Sequence, residues 1–176
     1  MAQKWRVPRL PSNRNIPALD RESLQRLALR YVERYATTQA KLARYLQRKT
    51  QTRGWAADDE PPIDAIVARM AELGYVNDRA FAEMRTASLS RRGYGRRRIN
   101  ADLHAAGIGR EDVDAAVPDD EEAARISALA FARRKRIGPF AEGEPDQAAR
   151  RRAFAAMVRA GHPLDIIQEI LTHRQQ

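Results

Sequence analysis

Apolar residues recur along the chain at spacings of three and four, and strict alternation is nearly absent. That pattern predicts helices rather than strands. Over 20–35 the stripe is Leu24, Leu27, Ala28, Tyr31 and Tyr35. A second helix is expected after Thr37 or Thr38, with Leu42, Tyr45 and Leu46 inward. "DDEPPIDAIVARMAELG" reads as a solvated connection with prolines in a first turn. Ile63, Ile66, Val67 and Met70 follow, closed by Gly74. Asn77 is placed to cap a fourth helix, with Phe81 and Met84 inward and an end near Gly93. Residues 95–106 form a fifth, with Ile99, Leu103 and Ala106 on one face. Gly107 stops it, and a short helix over 110–117 ends at Pro118. Three more are expected over 120–136, 147–160 and 163–172, with Asp146 capping the eighth and Pro163 opening the ninth.

Most of these helices are too short to stand alone in water, so each must be held by packing its stripe. They group in threes. "RRRINADLHAAGIGREDVDAAV" (96–117) aligns with "RRRAFAAMVRAGHPLDIIQEIL" (150–171) at an offset of 54. Ile99 falls on Ala153, Leu103 on Met157, Gly107 on Gly161, Val113 on Ile167 and Val117 on Leu171. "KLARYL" (41–46) fits the template less closely, because an acidic insertion, Trp55–Pro62, precedes its third helix. The expected fold is all-α: an elongated array of three tandem three-helix repeats over 19–75, 76–117 and 118–176, after a flexible basic tail over 1–18.

Charge adds a partner class. The formal charge is +9 and the isoelectric point near 10.6, a balance that suits a polyanion. It comes in blocks. Residues 1–53 hold thirteen Lys/Arg against three acids, and 54–84 reverse to two against seven. Residues 85–110 hold seven against one, 111–123 hold seven acids and no base, and 124–176 hold ten against five. Basic stripes separated by acidic ends follow from such blocks. There is no cysteine, hence no disulfide framework or zinc–thiolate site, which suits a reducing compartment. No apolar run approaches the roughly 18 residues of a membrane span, and the N-terminus lacks a signal-peptide core. A cytoplasmic monomer without membrane contact, cofactor or metal is expected.

The candidate contacts are arginines and lysines. With Ile99 at the centre of the buried stripe, Arg97, Asn100, Ala101 and His104 fall on the opposite face and Arg96 flanks the core. Arg152, Ala155 and Arg159 likewise lie away from Phe154, Met157 and Val158. Arg26, Arg30 and Arg34 recur every four residues, and Lys41, Arg44 and Arg48 at three and four. Arg91, Arg92, Arg96, Arg97 and Arg98 make the middle repeat the densest patch and the expected main contact. A merely solubilising face is the alternative for any one stripe.

Other chemistries fit poorly. "GYGRRR" follows no strand and matches no phosphate-loop pattern; its glycines punctuate helices. A helix-turn-helix over 95–117 would set Glu111, Asp112 and Asp114 of "REDVDAAV" against DNA phosphates. The three histidines form no ligand set. Asp119, Asp120, Glu121 and Glu122 sit at a helix start, where acids favour the dipole, and no strand platform exists to gather them on a metal. No catalytic residue is assigned. Trp5, Trp55, Tyr75 and Tyr94 could stack on bases, although Tyr75 and Tyr94 follow glycines at helix junctions, where packing is the expected role.

One stretch is more specific. "AELGYVNDRAFAEMRTASLSRRGYGRRRINADLHAAGI" (71–108) resembles the core of the bacterial RecX family, regulators of the recombinase RecA. The features that match are Leu73-Gly74-Tyr75, Asn77-Asp78-Arg79, Phe81-Ala82, Gly93, Arg98-Ile99, Leu103 and Gly107-Ile108. "ALRYVERYATTQAKLARYLQRK" resembles the family's opening segment, so the likeness covers roughly 20–172. Gly161-His162 stands where the family usually has glycine and an aromatic, and the Trp55–Pro62 insertion is a second departure. The resemblance implies three tandem three-helix repeats and no catalysis. It also implies binding along the groove of the RecA–DNA filament, with inhibition of ATP hydrolysis, strand exchange and filament growth, in recombination, DNA repair and the SOS response. Single- and double-stranded DNA would be met through the backbone. Without that resemblance, the residues reach only a basic helical-repeat DNA-binding protein with no RecA partner.

Overall fold

Side-chain caps fix most helix starts. Asp20 and Ser23 form a reciprocal capping box ahead of α1 (Arg21–Arg34). The hydroxyl of Thr38 accepts from the Lys41 amide to open α2 (Gln39–Arg53), and α3 (Ile63–Glu72) follows the prolines. Asn77 caps α4 (Asp78–Arg91); α5 (Arg96–Ala106) and α6 (Arg110–Ala116) complete the middle of the chain. Asp120 caps α7 (Glu121–Lys135), and Asp146 caps α8 (Gln147–Ala160), which is followed by α9 (Leu164–Thr172). α5 and α8 both stop at a left-handed glycine, Gly107 with φ 83° and Gly161 with φ 90°. This computed structural model describes residues 17–172. Nearly all of the expected basic tail, with Trp5, lies outside the described residues.

Among the described residues there is no strand. One isolated parallel bridge joins Leu19 to Trp55, through Leu19 N–H to Gly54 O (2.9 Å) and Ala56 N–H to Leu19 O (2.9 Å). It anchors the acidic insertion to the segment before α1. Trp55 packs on the first apolar cluster and donates its indole N–H to Asp59 (3.2 Å), so it is a packing residue. A 3-10 turn at Gly138–Phe140, absent from the periodicity, joins α7 to α8.

Each set of three helices carries its own apolar cluster. Leu19, Leu24, Ala28, Leu42, Leu46, Ile66, Val67, Met70 and Val76 make the first. Ala82, Leu89, Ile99, Leu103, Ala106, Ile108, Val113 and Val117 make the second. The third gathers Ala128, Phe131, Ala132, Ile137, Met157, Ala160 and the isoleucines of α9. Of the pairs aligned at an offset of 54, Leu103 and Met157 are fully buried, as are Val113 and Ile167 to within 1 %, whereas Ile99 and Val117 are buried and their counterparts Ala153 and Leu171 only partly so. Each such side chain stabilises the fold by about 1.5–3 kcal/mol.

Several side chains expected inside are out. Tyr35 is 49 % exposed because it is the C-cap of α1 in extended conformation, off the helical stripe. Met84 is 54 % exposed because the inward face of α4 runs through Ala82, Thr86 and Leu89, and position 84 lies on the other side of that wheel. Phe154 is exposed on the flank of α8, whose inward line is Ala153, Met157 and Ala160. Tyr75 is exposed where the chain turns at Gly74, φ 76°, so packing does not describe it. Tyr94 packs on both the second and third clusters. Asn100, expected to face away from the core, is half-buried, with its Oδ1 buried and unpartnered.

Candidate basic interface

The basic residues are distributed by two joints between the helical sets. At the first joint the N-terminus of α2 abuts the C-terminus of α5. The fully buried Thr38 hydroxyl donates to the Ala106 carbonyl (2.7 Å) while capping α2. The Gln39 amide donates to Asp78 of α4 (2.9 Å), whose carboxyl burial pushes above the usual range. A Cβ at Gly107 would overlap the Cβ of Ala40. Arg44 donates to the Ala105 and Ala106 carbonyls (3.2 and 3.4 Å), at the negative end of the α5 dipole.

At the second joint backbone meets backbone. The Gly95 amide donates to Ala160 O (2.8 Å). Side chains at Gly93, Gly95 and Gly161 would collide with the backbone of Phe131, Gly161 and Arg98 respectively. His162 is 1 % exposed, with Nε2 3.1 Å from the Gly93 carbonyl and its ring 5.6 Å from that of Phe131. The imidazole thus fills an aromatic's place, and burial pushes its pKa below the usual histidine value despite the Gly93 carbonyl. The departure seen at this position therefore keeps a ring in the joint.

The thirteen candidate cations divide accordingly. Arg26 pairs with Glu22 (2.8 Å), an exposed i,i+4 contact of little energetic weight. Arg30 donates to the carbonyl of Arg26 (3.4 Å), and Arg34 lies over the Tyr35 ring. Lys41 is half-buried over Phe81, its Nζ 4.6 Å from the ring centre. Burial, then the positive charge of Arg85, push its pKa down. Arg44 is spent on the first joint. Arg96 pairs with Asp119, consistent with its flanking position. Arg92 lies over Tyr94, and Arg98 lies against Gly161. Among the described residues Arg48, Arg91, Arg97, Arg152 and Arg159 are exposed and take no carboxylate. The structure therefore engages Lys41 and Arg44 at a joint, and leaves Arg48, Arg91, Arg97, Arg152 and Arg159 without a carboxylate among the described residues.

Sequence reading missed two internal clamps. Arg85 of α4 grips Asp102 of α5 through its Nε and Nη2 (2.7 and 2.9 Å), which holds that carboxyl below the usual range. Arg125 of α7 does the same to Glu169 of α9 (3.3 and 3.0 Å). Their signal in sequence was only an arginine and an acid on helices of the same set. Among the described residues no group of three or more His, Asp or Glu side chains could hold a metal ion. No described helix is long and apolar enough to cross a membrane.

Residues 77–117, the whole middle set, match the sequence profile described as RecX, second three-helix domain. The chain is 33 % identical over 160 residues to the Regulatory protein RecX of Myxococcus xanthus, covering 84 % of this chain and 83 % of that one. It is 31 % identical over 140 residues to the Regulatory protein RecX of Thermobifida fusca, covering 73 % of each. Its fold is similar to that of the crystal structure of RecX from Lactobacillus salivarius, with a TM-score of 0.60 at 18 % identity, over 85 % of this chain and 93 % of that chain.

Proposed function

The chain belongs to the RecX family, and from that premise we propose that it regulates the recombinase RecA. It binds the RecA–DNA filament and lowers its ATP hydrolysis, strand exchange and growth, without chemistry of its own. The observation that carries this reading is the relationship to a regulatory RecX protein along 84 % of the chain. The charge distribution supports it: free cations stand on all three helical sets, Arg48 on the first, Arg91 and Arg97 on the second, and Arg152 and Arg159 on the third. A partner contacted at several separated points, such as a filament with its DNA, suits that spread better than a single short ligand. In this reading the chain acts as a cytoplasmic monomer whose units are 19–75, 76–117 and 118–176. Its arginines meet single- or double-stranded DNA through phosphates.

The test is a titration of this protein into RecA hydrolysing ATP on single-stranded DNA. Inhibition at amounts well below one chain per RecA supports a filament regulator. Inhibition only when the chain saturates the DNA would leave a basic DNA-coating protein and refute the RecA assignment.

A further inference from the structure

Tyr94 is held between two helical sets, because its ring packs on both the second and the third apolar cluster. Two guanidiniums rest on that ring. Arg92, the C-cap of α4, has its Cζ 5.4 Å from the ring centre, and Arg134 of α7 has its Cζ at 5.5 Å. Arg134 is also 5.4 Å from the ring centre of Phe131. Both distances lie within the roughly 6 Å of a cation–π contact. Both arginines are exposed, and neither takes a carboxylate among the described residues. Residues 133–136 are four successive cations, and 85–110 carry seven arginines against one acid, so the joint brings together two of the least compensated stretches of the chain.

We infer that Arg92 and Arg134 form a two-pronged clasp for successive phosphates of one nucleic-acid strand, with Tyr94 as the positioning residue that holds both prongs across the joint. Each guanidinium is within 5.5 Å of one ring centre, so the two lie no more than about 11 Å apart. Phosphates follow one another at about 3.4 Å of axial rise per strand, so a single strand supplies several charges within that reach. The guanidinium fork suits phosphate oxygens. An arginine already laid against a ring gives up less side-chain freedom on binding than one waving in solvent. The inference rests on the nucleic-acid contact proposed above. It adds Arg134, on a helix no candidate came from, and gives Tyr94 a role beyond packing.

The test is binding of a fluorescent single-stranded oligonucleotide to the full chain across a salt series. Arg92→Ala and Arg134→Ala should each flatten the plot of log affinity against log salt by about 0.7. Tyr94→Leu should leave the slope unchanged and weaken binding about two- to tenfold, the cost of ordering one or two freed arginines. Tyr94→Phe should bind as wild type, since the ring remains. Where Tyr94→Leu loosens the fold, as circular dichroism would report, the arginine slopes and Tyr94→Phe decide. An Arg134→Ala slope equal to wild type overturns the clasp, as does a folded Tyr94→Leu that binds like wild type. Unchanged slopes with lost inhibition of RecA would assign the arginines to protein carboxylates, which also overturns it. A wild-type chain that inhibits RecA but ignores the oligonucleotide removes the clasp and leaves the regulator. One that shows the expected slopes but leaves RecA untouched does the reverse.

Discussion

Gly107→Ala probes the joint between the first two helical sets with a single carbon. Two effects add there. The residue sits at φ 83°, ψ 23°, a left-handed conformation that costs an alanine about 1–2 kcal/mol. The new Cβ would also overlap the Cβ of Ala40 in the first turn of α2. Ala40 has no rotamer through which to yield, so α2 must move away from α5. Overpacking of this kind costs about 1–3 kcal/mol, and such a shift would strain the Thr38 and Arg44 hydrogen bonds to the end of α5. Reduced freedom of the unfolded chain returns about 0.4–1 kcal/mol, which leaves a net loss of about 1–5 kcal/mol. The two effects separate in a cycle with Ala40→Gly, which removes the overlap and leaves the left-handed backbone. Ala40→Gly alone should cost at most about 1 kcal/mol. The double variant should therefore be more stable than additivity predicts by about 1–3 kcal/mol. Urea unfolding followed by circular dichroism reads all four corners. A Gly107→Ala variant within 0.5 kcal/mol of wild type, or additivity to within about 0.5 kcal/mol, would show that α2 and α5 do not meet as described.

Two further outcomes follow from the same joints. His162 is neutral and buried, with its pKa below the ordinary value of 6.5. The unfolded chain therefore binds its proton first as pH falls, and folding stability should decline from about pH 6.5 downward until the folded pKa is passed; His162→Phe should flatten the melting temperature between pH 7 and 5, and an unchanged profile would place the titration elsewhere. Arg44→Ala should lower stability by about 0.5–1.5 kcal/mol with no change in the salt slope of DNA binding, whereas Arg97→Ala should flatten that slope by about 0.7 with stability unchanged; the opposite assignment of effects would refute the division of structural from free cations.

The helices were legible because their signals are local. Leu24 and Ala28, Leu42 and Leu46, and Ile99 and Leu103 recur at helical spacing, and Thr38, Asn77 and Asp146 cap where their side chains say they should. Phase was less legible. Met84, Tyr35 and Phe154 are apolar enough to be taken for stripe residues, yet smaller ones, Ala82, Ala153 and Ala160, hold the inward line. Small residues there let backbones approach, which hydrophobicity alone does not report. The joints were not legible at all. They consist of Gly93, Gly95, Gly107, Ala40 and carbonyl groups, contacts between residues about forty to seventy apart in the chain. Nor could Leu19, Val76, Ile108 and Ile137 be read as core, because each lies in a connection, outside any periodic run.

Charge shows the same division, most clearly where the sequence repeats. The triplet of arginines at 96–98 returns at 150–152, 54 residues on. In both copies the first arginine turns to an acid in a connection: Arg96 to Asp119 after α6, and Arg150 to Glu144 (3.4 Å) before α8. In both copies the second is exposed and takes no carboxylate among the described residues, as Arg97 and Arg151. The third points along the helix flank, Arg98 against the backbone of Gly161, and Arg152 onto the rim of a groove of about 940 Å³ bounded by the connection from α7, by α8 and by the end of α9. A wheel centred on Ile99 gives this order, since successive residues turn by about 100°. One of three arginines is internally paired, one faces solvent, and one follows whatever packs beside the helix. A count of arginines therefore overstates the surface open to a polyanion. The second position is left free in both triplets, with Arg152 free as well in the later one, and Arg97 and Arg151, rather than Arg96 and Arg150, are the residues of the first two positions whose removal should register in binding.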